Sequence, residues 1–523
     1  MPFEIIQKIT DELNKEPHPD ISAGPSETVI SINRLTGAAG TWYEKIRYLL
    51  DYQEERFIRR SAIERILKRK LLFADGKNIG PTLLQELIRG GYLPNNSVPE
   101  RLAAKVDMIV AKFMLLSRLA EAAGSSTSSF RRRSIGLAAS EIHRFIFPSR
   151  TTDIVAEAFY QKIKNRITFV PPLPASEGDL QTYIACRRSL LKETDEELSY
   201  ALWLRFVSGW QSFEREEEIK NIAVSAPLII EKILSEIKNP VSWKLAGKLK
   251  NQGIFFLLIK EIFDKYGVEA GRIFDDPNYF SGELKHSLEE KYKEEHRRAN
   301  KSGFRAVAYI FCTKILVALL LELPYDIWVL HGINYLALGV NVVFHPVLLF
   351  AITGTILKLK EDNTERIITG INAILGGNEI PAIRIRTAAG GTLFDLFLVA
   401  LYCLLFIISF GIILSVLNLL NFNIASIILF LFFLTLVSYF GLRIRHNAKD
   451  WKVAVDNEST LSLLWGVFTL PVVRAGRWLS KTFSSINVFL LIMDFVIEAP
   501  FKIVLRVLDA FLSYLKDKRE EVH

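Results

Sequence analysis

The stretch TKILVALLLELPYD, residues 313–326, decides how this chain is read. It is apolar enough to lie in a bilayer, yet Lys314 stands inside it and Glu322 and Asp326 close it. It belongs to a run from 306 to 356 dominated by Leu, Ile, Val and Phe. A spanning helix needs about 20 apolar residues at ~1.5 Å rise each, so this run fits two spans. Pro324, His331, Gly332 and Asn334 mark the connection between them. A second block, 392 to 442, also fits two spans, joined by LNLLNFN (417–423). The expected spans lie near 305–323, 335–357, 393–417 and 424–442.

The basic residues orient these spans. Lys291, Lys293, Arg297, Arg298, Lys301 and Arg305 precede the first. Lys358, Lys360, Arg366, Arg384 and Arg386 lie between the second and third, and Arg443, Arg445, Lys449 and Lys452 follow the fourth. The two remaining connections carry no Lys or Arg. The alternation predicts that both termini face the cytoplasm.

The chain has 523 residues, net charge +8 and three widely separated cysteines, Cys186, Cys312 and Cys403. That cysteine set offers neither a disulfide framework nor a metal pattern. The N-terminal MPFEIIQKITDELNKEPHPD has no apolar run followed by a small-residue cleavage site, so the first targeting signal is expected to be internal. In a membrane protein, excess Lys and Arg fits the anionic cytoplasmic leaflet. Nucleic acid is less favoured, because no recognised binding motif accompanies the charge.

Residues 1–303 read as a charged, helical, cytoplasmic region. Apolar residues recur at helical spacing, as at Trp42, Ile46, Leu49 and Leu50. Thr194 with Glu197 reads as a capping box, and Pro240 suits a first helical turn. There is no alternating strand set and no repeat of fixed period. A flexible leader is expected over 1–27, and GSSTSSFRRRS (124–134) as a loop. TFVPPLPASEGD (168–179) reads as a proline-rich linker, dividing helical subdomains 28–167 and 168–303. The spans, 304–442, are followed by an amphipathic helical tail, 443–523. Within the tail, 461–473 and 486–497 are too short for plain spans and read as interfacial or re-entrant segments, or as a cytoplasmic hairpin.

Little in the chain points to catalysis. TGAAGTW (36–42) lacks the order of a phosphate-binding loop, and EIHRF (141–145) lacks the second His of a zinc helix. The histidines are scattered, and none pairs with Cys at metal-ligand spacing. No catalytic, cofactor-binding or metal-binding residue is assigned, and no cofactor is expected. The basic stretch ERFIRRSAIERILKRK (55–70) has two readings: the solvated face of a helix, which is favoured, or contact with anionic lipid through Arg59, Arg60, Lys68 and Arg69. Arg131, Arg132 and Arg133 allow the same two readings. NNS (95–97) matches a glycosylation sequon only by coincidence, given the expected location.

Lys314 falls near the middle of the first expected span. A charge there costs at least ~2.5–3.5 kcal/mol unless paired or hydrated. Both ends of the span lie ~13 Å away, which limits snorkelling. Glu322, eight positions on, is roughly 80° around a regular helix, so the two do not stack directly. Each is expected to meet a group on another helix, with His345 and Pro346 facing the same interior. The sharp reading makes Lys314, Glu322 and His345 an ion or proton path; the plain reading makes them packing contacts, and is favoured. Farther on, Asp494, Glu498, Lys502 and Arg506 are spaced by four and read as the solvated edge of an amphipathic helix.

FRAVAYIFCTKILVALLLELPYD, VFHPVLLFAI, NTERI and the terminal IEAPFK together resemble an uncharacterised family of multi-pass membrane proteins of candidate-phyla (small-genome) bacteria. The resemblance covers mainly the membrane half. It implies a bacterial inner membrane, no reaction and no functional residue. The combined expectation is an all-α fold: a helical cytoplasmic domain, a four-helix transmembrane bundle and an amphipathic C-terminal helical tail. The expected role is interaction or scaffolding at the cell envelope, with the lipid bilayer and a cytoplasmic protein as partners. An ion or small-solute conduit stands second and a membrane-bound enzyme third.

Overall fold

The computed structural model describes residues 4–14, 27–32, 55–73, 78–124, 128–148, 150–213, 215–354, 361–376, 380–387, 392–448, 451–453 and 460–485. The leader's central part, the stretch 33–54, the segment 486–497 and the 494–506 charge array therefore lie outside the described residues. The described chain is mostly helical and falls into two compact units.

The first unit comprises the described residues of 4–271 and 380–387. Its described helices are α1 (Glu4–Asn14), α2 (Glu55–Phe73), α3 (Ile79–Arg89), α4 (Arg101–Ala122), α5 (Ser128–Ile146), α6 (Arg150–Ile163), α7 (Ala175–Leu191), α8 (Asp195–Phe206), α9 (Glu216–Ala223), α10 (Ala226–Lys238), α11 (Pro240–Lys248) and α12 (Lys250–Tyr266). The capping box at Thr194 forms in both directions, fixing the start of α8. Asn239 caps α11 through Val241 N at 3.0 Å, with Pro240 in the first turn. Helix α8 stops at Phe206, and Gly209 adopts a left-handed turn (φ 78°) that the helical periodicity of 194–212 did not mark.

The compact unit runs across 168–179 without dividing there. The linker's opening residues form β3 (Ile167–Val170), and α7 follows at once. The strand has a distant partner, β4 (Ile383–Arg386), paired in parallel with Ile167 opposite Ile383. Thr387 N donates to Val170 O at 2.9 Å, and Lys248 Nζ holds Arg384 O at 2.7 Å. A second short pair, β1 (Val29–Ile30) with β2 (Val98–Pro99), is antiparallel. The expected loop at 124–134 is shorter than read, because α5 begins at Ser128.

Buried cations organise this unit. Arg187 donates to both oxygens of Glu193, at 2.7 and 2.6 Å, and to Asp153 at 2.8 Å. Arg188 reaches Ser242 Oγ at 2.6 Å and Ile237 O at 2.8 Å, joining α7 to α10 and α11. Glu141 accepts from Lys112 at 2.7 Å and from Trp210 Nε1 at 2.8 Å. These bonds tie together helices remote in sequence, which truncating any one partner would leave with an uncompensated buried charge.

The second unit comprises 272–379 and 388–488. Helix α13 (Ala270–Asp275) opens it. Then come α14 (Pro277–Val317), a π-turn (Ala318–Glu322), α15 (Leu323–Trp328), α16 (Tyr335–Gly354), α17 (Glu361–Leu375), α18 (Thr392–Leu419), α19 (Ile424–Ala448) and α20 (Thr460–Ser485). Tyr335–Thr353, Leu396–Leu419 and Ile424–Arg445 are long and apolar enough to cross a membrane. The stretch expected as the first span, 305–323, is not among them, and it does not stop at 323. Its apolar part starts within α14, passes through the π-turn and continues past Pro324 to Trp328.

Packing in this unit centres on Ala337, Leu417, Phe422, Phe430, Leu434 and Val472, with Ile310, Leu349 and Val437 as a second cluster. The stretch 461–473 is not an isolated short segment. It is part of α20, which lies on α18 and α19: Ser409 Oγ donates to Phe468 O at 2.9 Å, and Arg474 sits 4.8 Å from the Tyr402 ring centroid. Gly476 permits the approach to α19, since a Cβ there would stand 1.9 Å from Thr435 O. Asn363 of α17 donates to Tyr292 OH at 2.9 Å and to Trp451 O at 3.0 Å, fastening α14 and the chain after α19.

His143, in the first unit, carries a pH consequence. Burial, then Arg59, Arg60, Arg144 and Arg56, push its pKa down to about 3. The unfolded chain thus takes up this proton first, so stability present above pH ~6.5 is lost as pH falls toward 3. Glu197, whose carboxyl burial raises, acts in the opposite sense. The contrast with His143→Gln isolates the histidine. At pH 5 the variant is expected to have lost about 2 kcal/mol less than wild type relative to pH 7, at ~1.4 kcal/mol per pH unit. Denaturation of the full chain in detergent at both pH values measures this, and equal losses would refute it.

Candidate functional site

Four polar side chains of the membrane unit converge on one place. Lys314 arrives on α14, Glu322 at the end of the π-turn, and Asn341 and His345 on α16. The four residues are at most 1 % exposed. Lys314 Nζ donates to Asn341 Oδ1 at 2.6 Å, and Asn341 Nδ2 donates to Glu322 Oε1. A neutral amide thus bridges cation and carboxylate, giving each the hydrogen bond it needs. The Lys314 ammonium also lies 4.3 Å from the centroid of the Phe433 ring on α19, a favourable site for a desolvated cation.

The π-turn explains how Glu322 reaches this bridge. Eight residues of regular helix would leave it roughly 80° away from Lys314. A π-turn closes its hydrogen bond one residue later than an α-turn. That absorbs about one residue of rotation, roughly 100°, and brings Glu322 back to within roughly 20° of the Lys314 face. Pro324 follows immediately and withholds one backbone donor. A local π adjustment is one way a membrane helix re-satisfies the groups a proline frees.

His345 fixes α16 to α19. Its Nδ1 lies 3.1 Å from Asn341 O and its Nε2 lies 3.0 Å from Phe430 O. The ring packs edge-on against Phe430, centroid to centroid 4.7 Å. Lys314, Glu322 and His345, grouped from the sequence as one candidate polar site, lie in one cluster. Asn341 was missed. It could have been found as the polar residue four positions before His345 in an otherwise apolar helix, hence on the same face.

A second polar set joins the two connections that lack Lys and Arg. Asn423 Nδ2 donates to Asp326 at 2.6 Å, while Asn423 Oδ1 caps α19 through Ser426 N at 2.8 Å. Asn334 does the same in mirror fashion. Its Oδ1 caps α16 through Ala337 N at 3.1 Å, and its Nδ2 reaches Leu420 O and Asn421 O. Each asparagine ends one helix and holds another.

The residues read as lipid contacts divide. Arg60 is buried, donating to Ser140 Oγ at 2.9 Å and Gly136 O at 3.2 Å and pairing with Glu64 at 2.8 Å. It is a core cation, because α5 packs over its face of α2. Arg69 pairs with the buried Glu86, and Arg59 lies over the Phe147 ring at 4.6 Å. Lys68 pairs with Glu64 at 2.6 Å but remains partly exposed. Arg131, Arg132 and Arg133 are exposed near the start of α5. Among the described residues, no group of His, Cys, Asp and Glu has the arrangement to hold a metal ion.

The amide bridge predicts that Asn341→Leu, which keeps the branched shape but strands both charges, lowers stability by about 3–5 kcal/mol, as breaking a buried pair does. Asn334→Ala, which loses a helix cap, should cost only ~1 kcal/mol. Thermal unfolding in detergent compares them, and equal effects would show that the bridge is not the stronger tie.

No family model matches the chain, and neither the curated proteins nor the solved structures contain a significant match to it.

Proposed function

We propose that this chain is a four-span integral protein of a bacterial inner membrane that presents a helical region on the cytoplasmic side, in an interaction or scaffold role at the cell envelope. The observation that carries this reading is the Lys314–Asn341–Glu322 bridge. The bundle's charges are occupied by its own side chains and buried, as in a packed anchor. The Lys and Arg alternation supports the orientation, with the stapled 329–334 and 418–423 connections outside and both termini inside. The fourth span is the apolar continuation of α14 through the π-turn to Trp328. On this reading the exposed Arg131, Arg132, Arg133 and Lys68 serve an anionic leaflet or an acidic partner protein.

A conduit for ions or small solutes is the second reading. It is favoured by one feature: Glu322 Oε2 is buried and has no hydrogen-bond partner. No observation favours an enzyme.

Topology is checked by single cysteines in a variant lacking Cys186, Cys312 and Cys403. An impermeant reagent outside intact cells is expected to label positions 333 and 421 and to spare 300 and 450. Labelling at 300 or 450 would reverse the orientation.

Anchor and conduit separate on Lys314→Met, Glu322→Leu and the double variant. In an anchor each single change costs about 3–5 kcal/mol, because it strands the other charge. The double change should cost less than the sum, and liposomes should show no ion flux with any of the proteins. Measurable wild-type flux, abolished by either single change in a folded protein, would overturn the anchor reading.

A further inference from the structure

Hydrogen-bond inventory around His345 is unbalanced. Both ring nitrogens face carbonyl oxygens, Asn341 O at 3.1 Å and Phe430 O at 3.0 Å. A carbonyl only accepts, and a neutral imidazole has only one N–H to give. One of the two contacts is therefore a lone pair against a lone pair unless the ring carries a second proton. As imidazolium, His345 satisfies both oxygens and clasps α16 to α19.

The charges nearby decide whether that second proton can stay. Lys314 of α14 and Glu322 of the π-turn are joined through Asn341, whose carbonyl faces His345 Nδ1, while Asp326 of α15 is held by Asn423. From α19 come the uncharged Phe430 and Phe433, both in ring contact with His345. The ionisable Arg443 and Arg445 of α19 lie ten and twelve positions beyond Phe433, about 15 Å or more along the helix. The cluster thus holds two bases, Lys314 and His345, and one carboxylate close enough to balance a charge. Phe433 is shared as well, with the Lys314 ammonium over one part of the ring and His345 against another. Two positive charges against one negative in a buried site are costly. One positive charge is not, and Glu322 keeps an unused acceptor oxygen, Oε2, to receive it.

We propose that Lys314, Glu322 and His345 form a proton-binding site in the membrane unit, in which two bases compete for the charge that a single carboxylate can neutralise. Protonation of the imidazole converts it to imidazolium and closes both carbonyl contacts. It adds one proton to the site, and it is opposed by the Lys314 ammonium, which keeps its charge and its bond to Asn341 Oδ1. The proton comes from solvent. The site does not depend on the anchor reading, because proton occupancy requires no transport.

The test is nitrogen NMR on the full chain in lipid, labelled at histidine with ¹⁵N, with His345→Gln assigning the signal among the eight histidines. Wild type at pH 7.5 is expected to show a neutral His345 ring. Lys314→Met at the same pH is expected to show both nitrogens protonated, because His345 is then the only base left to Glu322. A purely structural lysine would not alter the ring's protonation. Should Lys314→Met fail to fold, Glu322→Gln decides: its His345 is expected to gain the second proton at least one pH unit lower than wild type, a tenfold loss of proton affinity. A His345 ring that stays neutral to pH 5 in Lys314→Met, or that titrates identically in wild type and Glu322→Gln, would overturn the proposal.

Discussion

A lysine ammonium buried among apolar helices must be given a partner, and the arrangement of the membrane unit follows from how Lys314 gets one. The residues one turn away on α14, Ile310, Phe311 and Val317, are apolar, so the charged partner has to come from elsewhere. Asn341 supplies it from α16, and the same amide passes on to Glu322. This requires α16 to lie against α14 in one register, and requires the π-turn to rotate Glu322 inward. Phe433 covers the ammonium and so fixes α19 as the third wall. Apolar contacts alone would leave these helices free to slide, because hydrocarbon side chains and lipid tails attract one another about equally. The polar bridge removes that freedom.

The other unit uses the same physics with a different residue. Arg60, Arg187 and Arg188 are buried cations, each holding helices separated in sequence. Arginine suits the task because its planar fork bonds several acceptors at once. Arg187 meets two carboxylates and the Tyr183 hydroxyl, and Arg188 stacks 3.9 Å from the Trp243 ring centroid while reaching two helices. A net positive chain therefore does not translate directly into a positive surface. Part of its basic charge is internal.

The β3–β4 pair shows how a connection between two apolar helices takes part in a remote fold. IRIR at 383–386 alternates in the manner of a strand, with Ile385 buried and Arg384 and Arg386 exposed. Four residues are too few for the pattern to stand out. The partner lies more than two hundred positions earlier, in what composition marks as a linker. Such pairing depends on backbone groups, which every residue carries, so it leaves almost no trace in side-chain pattern.

Legible in the sequence were the features that rest on local physics. Apolar runs of span length, helical periodicity, the Thr194–Glu197 capping box and the Pro240 helix start depend on residues within a few positions of one another. The Thr194 cap and the Pro240 helix start form as read, and among the described residues three runs are long and apolar enough to cross a membrane. The isolation of Lys314, Glu322 and His345 in apolar surroundings was visible too, which is why they were singled out. That they face a common interior was expected, but the bridge joining them was not visible, since it depends on a π-turn that regular helical geometry does not anticipate and on an uncharged asparagine that carries no charge to notice. The inward course of Arg60 was hidden for a related reason: a solvated helix face and a face covered by another helix have the same periodicity. What the sequence by itself determined was which segments are helical and which could lie in a bilayer, because those follow from composition and period. Only the tertiary structure decided which charge meets which, because that is set by rotation and register between segments far apart in the chain.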